Sequence, residues 1–196
     1  MDRIAILEID FTIFDNKDSI NPVVIQDNDN VVLVDCGYVG SLKLIEEELI
    51  RNNIQPDSLT HLVITHHDHD HMGTAAELKH KYPQINIVAS IEETPYINGS
   101  KKSPRLIQAE DMQKHLPEEQ KAFGEKFCAV LRSVKPVNVD IQVKDGDIFT
   151  WCGDSKIIAT PGHTKGHISI LVQSKNTLVA GDAATIKNKE LVIANP

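Results

Sequence analysis

The stretch Thr65-His66-His67-Asp68-His69-Asp70-His71-Met72-Gly73 sets four histidines and two aspartates in six consecutive positions. It follows the β-rich run HLVIT at 61–65. If the backbone stays extended beyond that run, alternate side chains share a side. His66, Asp68 and Asp70 then face one way, and His67, His69 and His71 the other. A turn at Asp70 into a helix would swing His71 round to the first set. Either set offers nitrogen and oxygen donors of the kind Zn²⁺ or Fe²⁺ takes. A solvated loop is the bland alternative. Six convergent ionisable residues at a strand-to-helix junction argue for a site instead. The helical zinc motif HExxH is excluded by its spacing.

The surrounding chain bounds the answer. Its 196 residues suit one well-buried domain, with 41% hydrophobic and 24% charged residues as in ordinary globular proteins. A net charge of -8 disfavours a general nucleic-acid binder, which needs cations to meet phosphates. MDRIAILEID shows no long apolar run or small-residue cleavage site, and no stretch is long enough for a membrane helix. Cys36, Cys128 and Cys152 are odd in number and far apart, so reduced thiols and a cytoplasmic location are expected, with no membrane partner.

Outward from the cluster, strands and helices alternate, which predicts a layered α/β architecture. FTIF, PVVIQ and VVLVDCG read as strands, with DNDN at 27–30 as a turn. Leu42, Leu44, Ile45, Leu49 and Ile50 fall at helical spacing over 41–53, with Ser41 as N-cap. A helix is expected over 73–82, ended by Pro83, and INIVAS is the next strand. The segment 92–139 is polar, carries NGSKKSPR, and reads as an insertion or lid. Within it one amphipathic pattern runs over 117–131. Pro117 suits a first helical position, and Phe123, Phe127 and Leu131 share a face. IQV, DIFTW, SKIIATPGH, HISILV and TLVAGDAA then give a second sheet-rich half.

Two of these later stretches bear on the metal reading. TPGHTKGH places His163 and His167 in a Gly-rich turn before a strand. LVAGDAA places Asp182 at a strand end, where a carboxylate can reach a site. Each has a local alternative: Asp182 as the cap of the next turn, and His167 as a strand residue bonded locally, which is the expectation for it.

Taken together, VDCG, the His/Asp cluster with DHMG, PGHTKG and GDAA resemble the metallo-β-lactamase fold superfamily of metal-dependent hydrolases. The resemblance covers 35–182. It implies a single-domain, four-layer αββα sandwich over 1–196. It also implies metal ligands at His66, Asp68, Asp70, His71, His163 and Asp182. His66, Asp68 and His163 would hold one ion, and Asp70 and His71 a second, with Asp182 bridging. Asp35 would steer a ligand histidine. Asp70 would also be catalytic, orienting the nucleophilic water or taking its proton.

The chain departs from the family pattern twice. Asp68 stands where the family has its second histidine, which adds a negative ligand and favours a harder metal. No histidine follows His167, so the family's last ligand is missing. That implies a truncated C-terminus lacking closing elements, or an incomplete second site, and leaves a homo-oligomer open through the exposed surface.

The resemblance therefore implies a cytoplasmic hydrolase with Zn²⁺, two ions in an intact site, or with Fe or Mn. A metal-activated water would attack a small ester, thioester, lactone or similar substrate. An exported β-lactamase and a nuclease are both disfavoured. The alternatives are a non-haem iron oxidoreductase on the same fold and a degenerate metal-binding scaffold without activity.

Overall fold

The computed structural model describes residues 2–13, 16–187 and 190–193. Phe14 of the expected FTIF strand lies outside them. The chain begins with β1 (Arg3–Ile6), the hairpin β2 (Ile9–Ile13) and β3 (Asn16–Ile20), then β4 (Val23–Gln26) and β5 (Val31–Val34). Asp27 makes the turn between the last two, accepting the N–H groups of Asp29 and Asn30 at 2.8 and 2.7 Å. All four residues of β5 are buried. Such a continuous apolar run marks a strand covered on both faces.

Helix α1 (Leu42–Arg51) follows, with Ser41 at its N-cap and Ile45 and Leu49 buried. Ser41 makes no side-chain cap bond; its N–H instead reaches Thr74 Oγ1 at 3.2 Å. Next come β6 (His61–Val63), the one-turn helix α2 (His69–Met72), α3 (Ala75–Lys81) and β7 (Asn86–Ser90). The helix expected over 73–82 is thus shorter at both ends.

The segment 92–139 holds three helices, α4 (Thr94–Ile97), α5 (Pro104–His115) and α6 (Glu118–Ser133). The amphipathic pattern needs two corrections. Pro117 is the N-cap of α6 rather than its first residue, because φ is fixed by the ring but its ψ of 150° is still extended. Phe123 is 59% exposed. The buried contact of α6 runs through Cys128 and Leu131 onto Ala109 of α5. Helix α5 escaped sequence reading because it packs by one small residue, Ala109, with little periodicity.

Strands β8 (Ile141–Val143), β9 (Ile148–Phe149), β10 (Ser155–Ala159), β11 (Ile168–Val172), β12 (Thr177–Val179), β13 (Ala184–Lys187) and β14 (Glu190–Ile193) complete the chain. A six-stranded sheet runs β1-β4-β5-β6-β7-β8, and a four-stranded one β12-β11-β10-β9. In the first, β5 to β8 are parallel. Their C-terminal ends therefore lie on one edge, where ligands gather in α/β sheets.

The pleat divides the core. Leu33, Leu62, Ile87 and Ala89 pack towards Ile45, Leu49 and Leu78 of the helices. Val32, Val34, Val63 and Val88 pack towards Ile157, Ile168, Ile170 and Trp151 of the second sheet. The layers are helix, sheet, sheet, the mixed α/β architecture expected. Among the described residues no helix enters the core between the sheets, and none is long and apolar enough to cross a membrane.

Candidate metal centre

The site is built where β5, β6, β10 and β12 end. Immediately after β5 the chain turns sharply at Asp35, whose φ is +60°. Aspartate tolerates this left-handed conformation better than most residues. The turn sends its carboxylate across to the end of β6, where it accepts Thr65 N–H at 2.9 Å and Thr65 Oγ1–H at 2.8 Å. The same carboxylate accepts His71 Nδ1–H at 2.8 Å.

The cluster itself turns earlier than expected. Asp68 is the N-cap of α2, and its carbonyl accepts the N–H groups of His71 and Met72, both at 3.0 Å. Only His66 to Asp68 keep the extended alternation; Asp70 and His71 are helical. The physical reason is hydrogen bonding: the strand neighbours of β6 end by Thr65, and the turn at Asp68 satisfies the N–H groups of His71 and Met72. The turn carries His71 back onto His66, with ring centroids 4.0 Å apart. Gly73 permits the close approach of α2 to the 37–40 loop, since a Cβ there would sit 2.4 Å from the Val39 nitrogen.

Six side chains were singled out from sequence, and the fold gathers five into two overlapping groups. His66, Asp68 and His163 form one, and His66, His71 and Asp182 the other, with one donor atom per residue and all within 4.8 Å of one another in each group. His163 Nε2 lies 3.1 Å from Asp68 Oδ2 and 3.6 Å from Asp182 Oδ2. Asp182 Oδ1 lies 3.2 Å from His71 Nε2. His66 thus belongs to both groups rather than to the first alone. Asp70 falls in neither. It stands beside them, Oδ2 3.7 Å from His71 Nε2, its side chain 29% exposed.

The hydrogen bonds set the tautomers. Thr65 gives its hydroxyl proton to Asp35, so its oxygen accepts from His66 Nδ1 at 3.0 Å. The proton of His66 is therefore on Nδ1, and Nε2 carries a lone pair. That Nε2 is buried and has no hydrogen-bond partner. Burial, then the neighbouring imidazoles of His71, His167 and His163, hold His66 far below its ordinary pKa, as a neutral ligand must be. Burial opposes the charge on His71 too, but Asp35, Asp182 and Asp70 outweigh it and raise its pKa well above the usual value. The His71 hydrogen bond, against burial, holds Asp182 below the usual carboxylate range.

Several residues lie outside the groups. His167 is 1% exposed; its Nδ1–H meets Thr160 Oγ1 at 2.8 Å, and its Nε2 accepts Asp182 N–H at 3.0 Å. It is bonded locally, as expected, and fixes the backbone that carries Asp182. His69 packs edge-on to Tyr38 and Phe127. His67 turns away to Glu93. Sequence reading missed Thr65 and Glu93: Glu93 is 1% exposed while its neighbour Glu92 is exposed, and no local pattern tells them apart. A cavity of about 630 Å³ opens beside the centre. Asp35, Asp70, His71 and Asp182 line it, with Ile4 and Ile20 on its apolar side.

A buried lone pair at the shared vertex of two His/Asp groups is an unmet polar atom that a divalent cation satisfies. The residues present therefore fit a metal ion.

Known proteins resemble this chain in sequence and fold. The probable metallo-hydrolase YflN of Bacillus subtilis is 27% identical over 159 residues, 81% of this chain and 57% of that protein. A hydroxyacylglutathione hydrolase of Photobacterium profundum is 27% identical over 157 residues, 79% of this chain and 42% of that one. The chain thus spans about half the length of these relatives. Among solved structures, a metallo-beta-lactamase family protein from Thermus thermophilus superposes with a TM-score of 0.72 at 19% identity, over 94% of this chain and 60% of that one. The family model of the metallo-beta-lactamase superfamily matches residues 15–195, and the chain belongs to that superfamily.

Proposed function

We propose that the chain is a cytoplasmic hydrolase of a small ester, thioester or lactone, working through a divalent metal centre, with zinc as its ion. The superfamily is one of metal-dependent hydrolases. The observation that carries the reading is the buried, unpartnered Nε2 of His66 between the two His/Asp groups. His66, Asp68 and His163 would hold one ion. His71 would hold a second, with Asp182 between the two and Asp70 standing beside it. The chemistry supplied at such a site is Lewis-acid activation of water and of a carbonyl oxygen.

The protein's own residues do the rest. Asp35 fixes the His71 ring through Nδ1, as outer partners of ligating histidines do. Asp70 reaches the cavity without belonging to either group, so it can take the proton of an attacking water. Ile4 and Ile20 offer an apolar wall to the substrate. The three cysteines are buried and unpaired, which suits a reducing compartment.

The test is metal content by elemental analysis, followed by turnover of matched ester, thioester and lactone panels. Turnover that chelation abolishes and zinc restores supports the reading. Bound metal with no turnover of any panel member overturns it. A second reading, an iron-dependent oxidoreductase, draws on the extra carboxylate at Asp68. Iron content with oxygen consumption would favour it.

A further inference from the structure

A second cavity, of about 370 Å³, reaches the same centre at Asp68, within the range of small-molecule sites. Its other wall comes from the helical segment between β7 and β8. Met72, Leu106 and Leu131 give it an apolar lining, and Lys101, Lys102, Arg105 and Arg132 a basic one. Asp68 is the one carboxylate among the described residues that line it. On a chain of net charge -8 such a local excess of cations is not a matter of composition.

The four cations are not equivalent. Lys102 pairs with Glu110, and Arg132 with both Glu110 and Glu125. Lys101 and Arg105 have no carboxylate partner among the described residues. Arg105 stands 5.8 Å from the centre of the Phe127 ring, and that ring meets His69 edge-on at 6.0 Å. Phe127 thus stands between the guanidinium and His69, the residue after Asp68.

Resting on the hydrolase reading, we propose that this cavity takes the anionic end of the substrate. Arg105 and Lys101 bind a carboxylate or phosphate that lies a few bonds from the scissile carbonyl, and the apolar lining takes the methylenes between. A guanidinium offers a planar pair of donors matched to either oxyanion, and the lysine adds a point charge. A neutral tail gains neither contact, and a cationic tail is repelled. The segment 101–105, KKSPR, thus sets substrate class rather than only covering the site.

The experiment uses three thioesters of one thiol, whose acyl chains end in a methyl, a carboxylate or a phosphate. On zinc-loaded protein, kcat/KM is expected to be about tenfold higher for one or both anionic chains than for the methyl chain. In the double variant Lys101→Ala/Arg105→Ala that ratio is expected to fall to near one. The ratio is internal to each protein, so a loss of folded enzyme divides out. Equal values for all three chains in the parent, or an unchanged ratio in the variant, overturn the proposal. If no thioester is turned over, the hydrolase reading fails on that substrate class, and binding decides the subsite. Succinate and inorganic phosphate are then titrated calorimetrically into parent and variant. At least one is expected to bind the parent about tenfold more tightly; equal binding of both to the two proteins overturns the proposal.

Discussion

Glu93 and His67 are joined twice, the Glu93 carboxylate accepting both the His67 backbone N–H, at 3.0 Å, and its ring Nδ1. The same carboxylate accepts Thr164 Oγ1–H at 2.7 Å and Gly166 N–H at 2.9 Å. One buried group therefore ties the loop of His66 and Asp68 to the turn of His163. Burial alone would raise its pKa, but the bonds from His67 and Thr164 lower it below the usual carboxylate range.

Glu93→Ala is expected to destabilise the metal-free protein by about 3 kcal/mol, since it strips a buried network of its acceptor. Glu93→Gln should lose less, because an amide oxygen still accepts from two N–H groups. Urea unfolding of the three proteins measures the difference. Equal midpoints would show that this tie does not hold the two loops.

His66→Ala and Asp182→Ala are expected to lose most of their metal, because His66 lies in both donor groups and Asp182 faces His71 and His163. His80→Ala and His115→Ala, at exposed positions on α3 and α5, should keep the parental content. Elemental analysis of all four, purified alike, separates a built centre from histidines that scavenge metal anywhere.

Asp68→His removes a carboxylate from the group with His66 and His163 and offers an imidazole in its place. Zinc retention against competing manganese is expected to rise about tenfold, because imidazole suits zinc and carboxylate suits harder ions. Competition dialysis reads this directly. An unchanged ratio would mean that Asp68 is not a ligand.

Asp140 gives a pH dependence away from the centre. Burial opposes its charge, but the Ile87 N–H at 2.8 Å and Lys79 at 3.0 Å outweigh it and lower its pKa. A folded value below the unfolded one, about 3.9, stabilises above that pH and is lost as pH falls through the folded value. Asp140→Asn should therefore flatten the acid side of the stability curve between about pH 5 and pH 3. Denaturation midpoints across that range would show it, and parallel curves for the two proteins would count against it.

Sequence by itself determined the donor types and most of the frame. The alternation of apolar strands with helical spacing marks the layers, since burial on both faces demands runs like VVLV. Asp35, His66, His163 and Asp182 stand out because ionisable residues at strand ends and Gly turns have little structural work to do there. Their grouping was decided only by tertiary structure. The turn at Asp68 rather than Asp70 depends on where β6 loses its neighbours, and it brings His71 onto His66. Glu93, Thr65 and the unpaired cations Lys101 and Arg105 carry no local signal. A carboxylate, a hydroxyl or a basic run becomes part of a site only through what the fold sets against it. Those contacts join residues up to 103 apart (Thr65 to Ile168), beyond the reach of any local pattern.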